Sequence, residues 1–187
     1  MDVGTLPNVL VDIRYGTKHN LLNRDVYGGF QRALLHKIAA GKFIRASTLL
    51  HERRPELRFI VFDALRPQAA QLEFWALVKG TPQQHFFADP AKGSIHSFGF
   101  AVDLGLLSLE GAELDMGTGF DDLTDLSSPS KEVEFTASGA LKPEALANRK
   151  ILRGVMEDSG FLQLASEWWH FDAMAPTEVR SHFKRLE

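Results

Sequence analysis

The run FGFAVDLGLL at 98–107 is apolar except for one carboxylate, Asp103. A strand of that composition is buried, and an unpaired carboxylate inside it is costly. The fold must therefore deliver a positive partner to Asp103, either a basic side chain or a metal ion. His96 lies seven residues upstream in the same stretch, SIHSFGFAVDLGL, with Gly99 between them. Side chains on a straight strand alternate faces, so residues an odd number apart point opposite ways. His96 and Asp103 converge only if the chain bends, and a loop before Gly99 gives that freedom.

A second stretch, SEWWHFD, places Glu167 and His170 three residues apart in an aromatic, strand-like context. They too need a bend, near Trp168 and Trp169. The chain has no cysteine, so thiolate nucleophiles, iron–sulfur clusters and thiolate zinc sites are excluded, and a transition metal must rest on histidine and carboxylate. Two imidazoles, His96 and His170, with one carboxylate make the three-ligand set of a catalytic zinc site, whose fourth position is left for water. Hydrolysis at such a site also needs a base, and Glu167 is placed for it. A fixed cation aimed at the carbonyl oxygen stabilises the transition state more than the ground state; the candidate is Arg66, with Asp63 just before it to hold the guanidinium by a bidentate contact.

Each of these residues has a commoner use. Arg66 alone reads as an arginine at the start of a helix, Asp121 as a cap or turn residue, and Trp168 and Trp169 as packing. His19, His36, His51, His85 and His182 stand in no such context and are expected to have surface or hydrogen-bonded roles. HERRP at 51–55 lacks the second histidine of a helical zinc motif, and GTGFDD lacks the third glycine of a dinucleotide fingerprint. No GxSxG elbow or phosphate-binding loop occurs.

The periodicities predict an α+β fold: a single domain over 1–187 with a mainly antiparallel sheet, helices packed on one face and the metal site at the sheet. A helix is expected over 27–40, burying Phe30, Leu34, Leu35 and Ile38 and stopped by Gly41, then a strand over 57–65. After Arg66-Pro67 a second helix should bury Ala69, Leu72, Trp75 and Ala76 and end at Gly80. A strand over 98–107 and a short partner at 112–115 read as a hairpin. The stretch 121–138, crowded with Ser, Thr, Pro, Asp and Glu, reads as an excursion. A third helix over 143–158 buries Leu146, Leu152, Val155 and Met156 before Gly160, and 161–171 returns as strand.

The 187 residues are 44% hydrophobic, enough for a core without crosslinks, and the net charge is -3 with both signs mixed along the chain. That pattern gives no stripe for nucleic acid or an anionic membrane, so a small-molecule partner is expected. No run reaches membrane-spanning length and no leader pattern opens the sequence, so a cytoplasmic protein is expected.

DIRYGT (12–17), VYG (26–28), DALRP (63–67), SIHSFGFAVD (94–103), DMGTGFD (115–121), NR (148–149) and EWWH (167–170) come in one order across most of the chain. Together they resemble the D-alanyl-D-alanine dipeptidases of the VanX type. The resemblance implies one zinc ion on His96, Asp103 and His170, Glu167 as catalytic base and Arg66 stabilising the tetrahedral intermediate. It adds substrate-binding positions: Tyr15 and Ser94 near the dipeptide, and Asp121 on its free ammonium group. Demanding that ammonium restricts cleavage to very short peptides. One departure is Phe98, where such proteins usually carry arginine. The rival readings are a zinc carboxypeptidase that trims larger cell-wall peptides, with a more open pocket and no ammonium clamp, and a zinc-binding interaction domain without turnover. Antibiotic resistance, recycling of peptidoglycan fragments and nutrient use would all employ the one reaction.

Overall fold

A computed structural model describes residues 1–186, with every side chain among them except that of His85. The strands β1 (Val9–Val11), β2 (Leu57–Asp63), β3 (Ala101–Ser108), β4 (Leu162–Gln163) and β5 (His170–Asp172) form one open sheet in the order β1-β2-β3-β5-β4. Only β1 and β2 run parallel; the other neighbours are antiparallel. The helices are α1 (Lys37–Arg53), α2 (Gln68–Val78), α3 (Glu132–Ala137), α4 (Pro143–Asp158) and α5 (Pro176–His182). This is the expected α+β architecture.

Helix α1 buries Ala39, Ala40, Phe43, Ala46, Ser47 and Leu50, a 3.6-residue stripe, and Phe43 meets Phe59 of β2 with ring centroids 5.4 Å apart. Helix α4 packs beside α1 and buries Leu152, Val155 and Met156. Of the expected helix over 27–40 only residues 37–40 are helical, and they open α1. Gly28 and Gly29 both take positive φ, His36 caps α1 through its Nδ1, and the helix starts where the expectation ends. Gly41 does not stop it, because that glycine lies on the solvent face with nothing near its missing Cβ. In α2 the buried residues are Gln68, Ala70, Gln71, Phe74 and Val78, while Leu72 is exposed, so the expected face is displaced around the helix. The reason is functional: Gln68 and Gln71 face inward to make polar contacts around Arg66 and the 88–90 loop.

The strand after His96 begins at Ala101, because Ile95–Phe98 is a 3-10 turn that Gly99 closes at φ 72°. The expected 112–115 partner shrinks to a single bridge, Leu107 to Glu113. Likewise 161–171 is two short strands separated by a turn, not one strand. The excursion at 121–138 folds into short 3-10 turns and α3. Helix α4 spans the expected residues, and Gly160 follows it at φ 92°.

The 115–127 segment is anchored from α4. Asn148 Nδ2 donates to the Asp115 carbonyl (2.9 Å), and the buried Arg149 donates to the carbonyls of Met116 (2.7 Å) and Leu126 (3.1 Å). Trp168 Nε1 holds the same segment through Thr118 Oγ1 at 2.9 Å. A loop carrying Asp121 is thereby fixed against the sheet. Among the described residues no helix is long and apolar enough to cross a membrane.

Candidate metal centre

Both required bends are present. The 3-10 turn before Gly99 brings His96 back over β3, and the turn at 165–169 brings Glu167 beside β5, where His170 is the Cα partner of Asp103. His96 Nε2, Asp103 Oδ1 and His170 Nδ1 then converge: 3.3 Å from His96 to Asp103, 2.9 Å from His170 to Asp103 and 3.2 Å between the imidazole nitrogens. Ligands about 2.0–2.1 Å from a tetrahedral zinc stand roughly 3.3–3.4 Å apart, so this donor set fits such an ion with little adjustment. Each imidazole is oriented by its other nitrogen. His96 Nδ1 donates to the Ala64 carbonyl (2.7 Å), which leaves Nε2 bare, and His170 Nε2 lies 3.0 Å from Asp172 Oδ1.

The electrostatics call for a cation. Asp103, Asp121, Glu167 and Asp172 all line one cavity of about 240 Å³. Burial alone would raise Asp103, but His96 and His170 outweigh it and hold the carboxyl well below the usual range. Burial likewise opposes a charged His170, yet the Asp172 and Asp103 carboxylates keep its pKa well above the ordinary value. A metal held by His96, Asp103 and His170 would supply the positive charge that a proton otherwise supplies at His170.

Glu167 Oε2 lies 3.9 Å from His170 Nδ1. Burial, reinforced by the Asp103 and Asp121 charges against His170, pushes its carboxyl up to about 8. Arg66 is buried against the rings of Tyr15 (5.0 Å) and Phe74 (5.4 Å). Its Nε donates to Asp63 Oδ2 at 2.9 Å, Nη2 lies 2.9 Å from the same oxygen, Nη1 donates to Gln71 Oε1 at 3.1 Å, and Nη2 stands 3.5 Å from Asp103 Oδ2. The clamp therefore uses one carboxylate oxygen; the other, Oδ1, accepts from Tyr27 Oη and the Ala64 amide. Burial works against the Arg66 charge, but Tyr15, Asp63 and Asp103 outweigh it.

Asp121 takes a left-handed backbone (φ 61°), which aspartate tolerates better than most residues. Its Oδ1 accepts from Tyr15 Oη at 2.8 Å, and its buried Oδ2 has no partner among the described residues. Burial pushes this carboxyl up to about 7, against the Tyr15 hydrogen bond and Arg66. Ser94 is buried at the start of the 3-10 turn and lines the cavity.

Residues 3–185 match the family model described as D-ala-D-ala dipeptidase, Peptidase M15. The chain belongs to this family. It is 32% identical over 166 residues to the D-alanyl-D-alanine dipeptidase of Escherichia coli (strain K12), covering 89% of this chain and 79% of that protein. It is 29% identical over 185 residues to the D-alanyl-D-alanine dipeptidase of Enterococcus faecalis (strain ATCC 700802 / V583), covering 89% and 86%. It is 30% identical over 178 residues to that of Streptomyces coelicolor, covering 86% and 83%. As a member of the M15 peptidases the protein is a metallopeptidase, and dipeptide hydrolysis is the activity the family supports.

Of the residues singled out in this M15 sequence, Tyr15, Arg66, Ser94, His96, Asp103, Asp121, Glu167 and His170 all line the one cavity, and Asp63 lies behind it against Arg66. Trp168 is packing, whereas Trp169 both packs on Phe120 and lines the cavity. His19, His51 and His182 are exposed, and His36 stacks on Phe100; His85 lies outside the described side chains. Four residues were missed. Asp172 was legible as the i+2 neighbour of His170 on a strand, which shares its face. Gln71 sits one helical turn beyond Arg66. Tyr27 and Arg180 reach the site from 36 and 87 residues away from their partners, a separation that no local pattern reveals.

Proposed function

We propose that this chain is a zinc-dependent dipeptidase for D-Ala-D-Ala or a closely similar unblocked dipeptide, with one zinc ion on His96, Asp103 and His170. The observation that carries the substrate reading is the buried Oδ2 of Asp121, which has no partner among the described residues: such a carboxylate oxygen at a small cavity is suited to a substrate ammonium group. The cavity volume, about 240 Å³, falls below the roughly 300–1,000 Å³ of pockets for drug-sized ligands, which favours a dipeptide over a larger cell-wall peptide.

Zinc, when bound, supplies a Lewis acid that polarises a carbonyl and brings the pKa of a bound water to about 7. Tyr15 and Asp121 hold the substrate amine, and Ser94 lies along the peptide. Glu167 takes the proton from the attacking water and passes it to the leaving amine. Its raised pKa suits a group that must both accept and release a proton near neutrality, and a cation on the adjacent histidine brings it lower. Arg66, locked by Asp63 and Gln71, faces the carbonyl oxygen as it gains charge and needs no reorganisation to stabilise it.

Activity on D,D-, L,D- and L,L-dipeptides, measured before chelation, after it and after zinc add-back, tests the reaction and the metal together. Free D-Ala-D-Ala should be cleaved and its N-acetylated form spared. Equal cleavage of the two rejects the role of Asp121 and favours a carboxypeptidase acting on longer peptides.

A further inference from the structure

We infer that Arg180 is the group that binds the free carboxylate of the substrate, so that the pocket measures a dipeptide by both of its charged ends. The inference rests on the dipeptidase reading above and adds the recognition of the second terminus.

The cavity is lined by four carboxylates, and a substrate carboxylate entering it needs a cation of its own. Among the described lining residues the arginines are Arg66 and Arg180. Arg66 is committed elsewhere: Asp63 and Gln71 lock it in place, Asp103 stands at 3.5 Å, and its remaining donors serve the carbonyl oxygen in the proposed reaction. Arg180 is different. It projects from α5, which packs on the 3-10 turn holding His96. Its Nε donates to the carbonyls of Lys92 (3.1 Å) and Gly93 (3.2 Å), and its Nη2 to that of Gly93 (3.0 Å). These acceptors are neutral. No described carboxylate forms an ion pair with Arg180, and Nη1 has no protein acceptor among the described residues.

Those same bonds fix where the charge sits. Gly93, at φ 79°, immediately precedes Ser94, so the guanidinium is tethered to the loop that carries a proposed peptide contact. It is partly exposed at the cavity, held on one edge and open on the other, with the planar donor fork that suits a carboxylate. Asp121 comes from the 115–127 segment and Arg180 from α5, so the two charges stand on walls built by separate elements.

The test compares free D-Ala-D-Ala with its C-terminal amide, in zinc-loaded wild type and in Arg180→Met and Arg180→Lys. The wild type is expected to favour the free acid through KM. Arg180→Met should raise KM for the acid by about 10- to 100-fold with kcat little changed, the signature of lost uniform binding, and leave KM for the amide where it was. Arg180→Lys should recover part of the loss. If Arg180 only staples the Gly93 turn, Arg180→Met will impair acid and amide equally, and the inference fails. Equal KM for acid and amide in wild type also overturns it while leaving the hydrolytic reading intact. Cleavage of neither by wild type rejects that reading, and the inference with it.

Discussion

Glu167 and Asp172 flank the same imidazole and are expected to fail in different ways. Glu167→Gln keeps the shape but cannot accept a proton, so kcat should fall by about 10²- to 10⁴-fold with zinc content unchanged. Stoichiometric zinc with wild-type turnover would remove Glu167 from the mechanism. Asp172 contacts no ligand atom facing the metal; it holds His170 by the opposite nitrogen. Asp172→Ala should therefore weaken zinc binding by about 10- to 100-fold in a chelator competition, and Asp172→Asn, which still offers an oxygen to Nε2–H, should lose less. Equal zinc affinity in Asp172→Ala and wild type would show that the strand alone orients the ring.

Among the elements, the turn at Gly99 controls most. A Cβ there would come within 3.0 Å of the His36 backbone nitrogen, at a φ of 72° that side chains rarely adopt. Gly99→Ala should cost about 1–3 kcal/mol by chemical denaturation and shift the His96 turn enough to lower zinc affinity. A wild-type denaturation midpoint would contradict this. The element shows what the sequence made legible. The need for a bend followed from odd spacing and a glycine, and α4 was bounded by Pro143 and Gly160 because those residues act locally. The start of α1 was not legible, since Phe30, Leu34 and Leu35 have helical spacing, yet they lie in an irregular segment whose path is set by Gly28 and Gly29, and only Leu35 of the three is buried. The inward face of α2 was misjudged because two glutamines are buried there, Gln71 against Arg66 and Gln68 against the Pro90 carbonyl, and polarity alone placed them outside. The proposed ligands were legible because each lies in a short motif, while Tyr27, Arg180 and the anchors Asn148 and Arg149 act across the fold.

For the molecule as a whole, the cavity's acids link stability to pH. Asp121 and Glu167 in the folded protein titrate at about 7 and about 8, against roughly 4 in an unfolded chain. Between these limits the folded state binds more protons than the unfolded one, so stability falls as pH rises through that window and levels off above it. His170, raised above its ordinary value, adds a loss of the same sign above about 6.5. Each unit of raised pKa is worth about 1.4 kcal/mol. Zinc-stripped protein should thus melt at progressively lower temperature from pH 5 to pH 8 in scanning calorimetry, and zinc should restore most of the difference at the alkaline end. A flat profile for the stripped protein would mean that these carboxyls are wetter than the structure indicates.

The sheet itself tapers. Its central strands, β2 and β3, are seven and eight residues long, whereas its outer strands, β1 and β4, have three and two. An exposed strand edge is a template on which another chain can add, and its hazard grows with the length of unpaired backbone it offers. Here the long ladders are interior and the free borders are stubs. A crowded population of this protein therefore has little border on which one molecule could recruit the next into a growing β-aggregate.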